Sequence, residues 1–100
     1  MIIKGFIGKV GQTRNWTNKD GEGRQSVNLT LSVPYVTKSG EERQDELMCE
    51  MNLPSAEFLE SLKNTCDSHE KCEFQVGFHI SIWEGRQIQN IRVYSVTKLL

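Results

Sequence analysis

Three stretches of two-residue alternation most constrain what this chain folds into. Val27, Leu29, Leu31 and Val33 alternate with Ser26, Asn28, Thr30 and Ser32. Leu47, Cys49, Met51 and Leu53 alternate with Met48, Glu50 and Asn52, and Phe74, Val76, Phe78, Ile80 and Ile82 alternate with Gln75, Gly77, His79, Ser81 and Trp83. A side chain that changes side at every residue marks a half-buried strand, so a helical bundle is excluded. One hundred residues suffice for one core, so residues 1–100 are expected to form a single domain, which excludes a multidomain enzyme.

The other elements fit around these strands. Residues 2–10 hold Ile2, Ile3, Phe6, Ile7 and Val10 with Gly5 and Gly8 between them, a first strand whose glycines invite a bulge or sharp curvature. Gln12 to Gln25 is polar and rich in turn formers, which predicts a long loop. Pro34 is expected to end strand 2, and Tyr35 to Asp45 to form a second loop centred on Ser39-Gly40. After the third strand, Glu46 to Leu53, Ser55 is a plausible helix cap. Glu57 suits the first turn, and Phe58, Leu59 and Leu62 make an apolar stripe, so a helix runs to about Asn64. Glu84-Gly85-Arg86 reads as a tight turn into a last strand, Ile88 to Val96. Three strands, one helix and two strands match the OB-fold, an all-β, five-stranded Greek-key barrel with its helix between strands 3 and 4; an open antiparallel sheet is the alternative.

Charge bears on the partner. Twelve Lys and Arg stand against thirteen Asp and Glu, a net charge of -1, which argues against a polyanionic partner only if the charges are evenly spread. They are not. Residues 1–40 carry six cations and two anions, residues 41–73 three cations and ten anions, and residues 74–100 three cations and one anion. Two basic arms flank an acidic centre.

Both tryptophans lie at expected loops or turns with cations close by. The loop between strands 1 and 2 holds Arg14, Trp16, Lys19 and Arg24, and the turn between strands 4 and 5 holds Trp83 and Arg86. Flat rings beside Arg and Lys are what unstacked bases on a phosphate chain require. Tyr35 is a third candidate platform, with Lys38 and Arg43 near it, and His79 on the polar side of strand 4 is within the same set. Each residue singly has an ordinary structural alternative: a tryptophan lid over the core end, a packed tyrosine, a solvated cation or histidine. Their coincidence on neighbouring loops favours single-stranded nucleic acid.

Cys66, His69 and Cys72, with Cys49 as a fourth ligand, form an unusual Cys-x2-His-x2-Cys spacing rather than the paired spacing of structural zinc, so small reduced core cysteines are expected and no metal or other cofactor. No phosphate loop and no nucleophile-base grouping is found, so catalysis is not expected. An odd number of cysteines, no leader pattern and no apolar run of membrane-spanning length point to a cytoplasmic protein without a membrane partner.

On these residues the chain resembles the bacterial-type single-stranded DNA-binding proteins. Phe6-Ile7-Gly8-Lys9-Val10-Gly11 is similar to their first strand, Asn28-Leu29-Thr30-Leu31-Ser32-Val33 to their second, and Lys38-Ser39-Gly40-Glu41-Glu42-Arg43-Gln44-Asp45-Glu46 to the charged hairpin before their third. Tyr35 falls where the family carries a stacking tryptophan, as does Trp83, while Leu47 occupies the place of a third stacking aromatic. The resemblance implies non-catalytic, largely sequence-independent binding of single-stranded DNA in replication, recombination or repair. It also implies a homo-oligomer, dimer or tetramer, commonly joined through strand 1. The chain stops after its last strand at Val96-Thr97-Lys98-Leu99-Leu100, as in short tailless forms of phages or mobile elements. The alternative is a primosome-type OB adaptor whose main ligand is another replication or recombination protein.

Overall fold

The computed structural model describes residues 1–99, with Trp83 described by its backbone alone. Its elements are β1 (Ile2–Thr17), β2 (Gly23–Val36), β3 (Glu42–Asn52), α1 (Ala56–Asp67), β4 (Cys72–Trp83) and β5 (Arg86–Lys98). The strands close into a barrel in the order β1-β2-β3-β5-β4. All pairings are antiparallel except β3 with β5, where Cys49, Glu50 and Met51 lie beside Ile91, Arg92 and Val93. This closed five-stranded barrel with a helix between β3 and β4 is an OB-fold. The open-sheet alternative is excluded.

The alternating residues build the core. Val27, Leu29 and Leu31 of β2 meet Cys49 and Met51 of β3, with Ile7, Leu53, Leu62, Cys72, Phe74, Val76 and Val93 completing the buried apolar set. β1 serves two neighbours in turn: Ile2–Gly5 pairs with β4 and Phe6–Thr17 with β2. It bends where its register with β2 slips between Ile7 and Lys9 and again between Val10 and Thr13, and such bulges supply the curvature that closes a small barrel. At Gly5, where β1 passes from β4 to β2, there is no room for a side chain, because a Cβ there would overlap the Ser32 carbonyl oxygen.

α1 covers one end of the barrel. Ser55 caps it, its Oγ accepting the Phe58 N–H at 3.1 Å, and Leu62 and Thr65 are buried while Phe58, Leu59 and Cys66 pack at the margin of the core. Among the described residues no helix is long and apolar enough to cross a membrane.

The strands overrun the expected boundaries. Gln12 to Gln25 is mostly strand, since β1 runs to Thr17 and β2 starts at Gly23, and only Asn18–Glu22 turns. Likewise β2 continues through Pro34 to Val36 and β3 begins at Glu42. Proline is tolerated because β2 has lost its β1 partner after Ser32 and pairs with β3 alone, so one edge is open. Three two-stranded arms therefore leave the barrel, tipped by Asn18–Glu22, Thr37–Glu41 and Glu84-Gly85. Each tip satisfies its own backbone. Asn18 Oδ1 accepts the N–H groups of Asp20 and Glu22, Thr37 Oγ1 accepts that of Glu41, and Glu84 and Gly85 both take positive φ, as a two-residue hairpin turn requires.

Candidate nucleic-acid interface

The outward face of the barrel is built from the polar half of each alternating pattern. Asn28 and Thr30 of β2 stand beside Glu50 and Met48 of β3, and β5 contributes Asn90 and Arg92. A groove of about 800 Å³ runs over this face, lined by Lys9, Gln12, Asn28, Thr30, Met48, Glu50, Gln89 and Asn90. Met48 is 81% exposed in it, an apolar side chain with nothing of its own to pack on. Glu50 is the groove's one carboxylate among the described residues, and it accepts Arg14 Nη2 at 2.9 Å.

A second cleft, about 640 Å³, opens further along the same strand. Trp16, Arg24, Leu53, Pro54, Phe58 and Tyr94 line it. Asn90 of the groove, Arg92, and Tyr94 of the cleft are successive residues of one face of β5, with Glu50 paired beside Arg92, so the two hollows adjoin across the Arg14–Glu50 ion pair. Tyr94 lies across Gly77, where a Cβ would come within 2.6 Å of its ring, and its hydroxyl meets His79 Nε2 at 2.7 Å.

The expected site residues divide between this face and the arms. Arg14, Trp16 and Arg24 are strand residues, a correction to the loop expected there: without apolar alternation, a mostly exposed two-stranded ribbon reads as loop. Trp16 is half-buried with its indole N–H enclosed and unpartnered among the described residues, so it acts as a wall of the second cleft. Lys19 and Lys38 are exposed at the tips of their turns. Tyr35 and Arg43 pair across the β2–β3 arm on the face that continues Leu29 and Leu31, opposite to that of Thr30 and Met48. They do not meet the groove. Trp83 pairs with Arg86 at the end of the β4–β5 arm, and the Trp83 side chain lies outside the described residues. His79 joins the face through Tyr94.

Three of the expected phosphate contacts are already paired with carboxylates: Arg14 with Glu50, Arg24 with Glu22 at 3.4 Å and Arg43 with Glu41 at 2.7 Å. The latter two are exposed pairs two residues apart, which a phosphate displaces at little cost. Tyr94, Arg92, Lys9 and Met48 are residues of this face that the loop-centred reading missed. The signal for the β5 pair was available: Asn90, Arg92 and Tyr94 share a parity opposite to Ile91 and Val93.

Cys66, His69 and Cys72 do not converge. Cys72 is buried and its Sγ donates to the Glu70 carbonyl, whereas the His69 ring stands edge-on to Phe6 at 6.1 Å. Among the described residues no group of three or more metal-ligating side chains is assembled.

No protein-family profile and no curated protein matches the chain. Among solved structures, the chain is similar to a single-stranded DNA-binding protein of Plasmodium falciparum solved with single-stranded DNA, with a TM-score of 0.51 at 6% identity over 99% of this chain and 92% of that one. It is also similar to a deletion mutant of the single-stranded DNA-binding protein from Thermus aquaticus, with a TM-score of 0.53 at 15% identity over 99% of this chain and 49% of that one. The chain thus spans about half of the Thermus protein. At such identities the shared property is the fold.

Proposed function

We propose that this chain is a non-catalytic binder of single-stranded DNA, largely indifferent to base sequence, acting in replication, recombination or repair. The observation that carries the reading is the adjoining pair of hollows along β5, which sets the exposed Tyr94 ring, 56% accessible, beside Arg92, Arg14 and a row of amides on one face. Bases stack on the rings and on the exposed Met48, phosphates meet Lys9, Arg14, Arg24 and Arg92, and Lys19, Lys38 and Arg86 extend the contact onto the arms. The resemblance and the two similar structures, both of single-stranded DNA-binding proteins, support the same reading.

The test is a titration with oligo-dT, equal-length duplex DNA and equal-length RNA at two salt concentrations. Affinity for oligo-dT is expected to exceed that for duplex and to fall with salt as counterions are released. Tyr94→Ala and Trp83→Ala are each expected to weaken oligo-dT binding by about 1–3 kcal/mol, the worth of one stacked base. No binding at low salt, or equal binding of duplex, contradicts the reading. The neutralised Arg14, Arg24 and Arg43 favour one second reading, an OB adaptor with a protein as its main ligand. Weak binding in every arm of the titration together with a stable protein complex selects it.

A further inference from the structure

The β4–β5 arm carries an apolar surface that the barrel does not use. Phe74 and Val76 of β4 are buried, but Phe78, Ile80 and Ile82, next on the same face, are 59%, 64% and 74% exposed. This corrects the sequence expectation of one continuous buried face: the strand outruns the core. β5 lines one edge of β4 to its end, while the other edge is lined only by Ile2–Gly5 of β1 and by Met1. From Gly77 to Trp83 that second edge has no strand among the described residues.

The last pairing before the gap shows which groups face it. Val76 donates its N–H to the Met1 carbonyl at 2.8 Å, and its own carbonyl accepts the Met1 ammonium at 3.1 Å. Backbone groups alternate in direction along a strand, so the N–H and C=O of Phe78, Ile80 and Ile82 point to the same open edge. Such edges are normally guarded by Lys, Pro or an inward charge. The ten residues from Phe74 to Trp83 include no charged residue and no proline.

We propose that a second copy of this chain covers that edge, β4 pairing antiparallel with β4 about a twofold axis at Ile80. In that register Ile80 faces its own copy and Phe78 faces the partner's Ile82, so every open group of the three residues exchanges hydrogen bonds across the axis. The product is a four-stranded sheet, β5-β4-β4-β5, with six apolar side chains in a row on one face. A twofold contact needs a self-complementary patch, and a segment without charge pairs with itself without opposing like charges. Nucleic acid fits this face worse, because the β5 residues beside it are Gln87, Gln89 and Ile91, with no cation. The inference is independent of DNA binding, and it places a self-association surface on β4 in addition to any on β1, whose Ile2–Gly5 segment pairs with β4 along one edge only.

Analytical ultracentrifugation over a wide concentration range, with hydrogen exchange on the same samples, tests it. The wild type is expected to dimerise, with the Phe78, Ile80 and Ile82 amides protected at high concentration. Ile80→Lys puts two lysines opposite each other and is expected to raise the dissociation constant about 100-fold or more while the monomer keeps its circular dichroism and melting temperature. If that variant loses its fold, Ile82→Lys, at a more exposed position, carries the same comparison. A monomeric wild type, a dimer untouched by either substitution, or a dimer with those three amides exchanging freely overturns the proposal.

Discussion

Gly77 has no side chain, and the Tyr94 ring occupies the space it leaves. Adding one carbon there tests the site without touching the core, because the ring is exposed and free to swing out. Gly77→Ala is expected to break the Tyr94–His79 hydrogen bond and weaken oligo-dT binding, with a change in unfolding free energy within about 0.5 kcal/mol, as for other surface substitutions. Gly5→Ala meets backbone instead of a movable ring, and overpacking of that kind is expected to cost about 1–3 kcal/mol in a denaturant melt. The cysteines sort by burial in the same way. Burial pushes the Cys49 thiol from its ordinary 9.0 up to about 11, and burial followed by the nearby Glu70 carboxylate raises Cys72 against the opposing pull of Lys98. At mildly alkaline pH, alkylation read by mass spectrometry is expected to label Cys66, at the margin of the core, ahead of the other two. A thiol harder to ionise in the fold than in the unfolded chain stabilises the fold below pH 9.0, and that contribution is lost as pH rises toward 11.

Strands were legible where they border the core and illegible where they leave it. Val27 to Val33 alternate because one side packs on Ile7 and Met51, and Ser55 announces the helix because its hydroxyl has an orphan N–H to satisfy. Arg14 to Thr17 and Gly23 to Gln25 pair just as well, but only Trp16 and Gln25 among them are even half-buried, so nothing selects an apolar alternation and their composition read as loop. The β4 arm errs in the opposite sense, keeping the core pattern through Ile82 after the core has ended. Of the candidate site, the cations of the first arm were visible, whereas Arg92 and Tyr94 lie within β5, away from the loops where rings and cations cluster in the sequence. Their position on β5 sets the Arg14–Glu50 pair between groove and cleft. Arg14→Gln is expected to weaken oligo-dT binding and flatten the dependence of log K on log salt by about 0.7, the single-strand value for one phosphate contact. An unchanged slope in that salt titration removes Arg14 from the phosphate contacts.

The whole molecule is an extended object for its size. Its radius of gyration is 15.1 Å, against about 13 Å for a compact chain of this length, and its principal extents are 50 × 37 × 20 Å, because three arms reach beyond one small barrel. That shape reconciles a net charge of -1 with the proposed polyanionic ligand, since eight of the twelve cations, Lys9, Arg14, Lys19, Arg24, Lys38, Arg43, Arg86 and Arg92, lie on the arms and one face. On the proposed function, discrimination is expected to rest on rings that an unpaired base reaches and a stacked one does not. Amide chemical-shift mapping of the labelled protein during titration with oligo-dT tests this most directly. The account predicts perturbations at Thr30, Met48, Asn90, Arg92 and Tyr94, with the end of α1 from Leu62 to Asp67 unaffected and duplex DNA producing little change; perturbations confined to that end of α1, or identical responses to duplex and single strand, would contradict it.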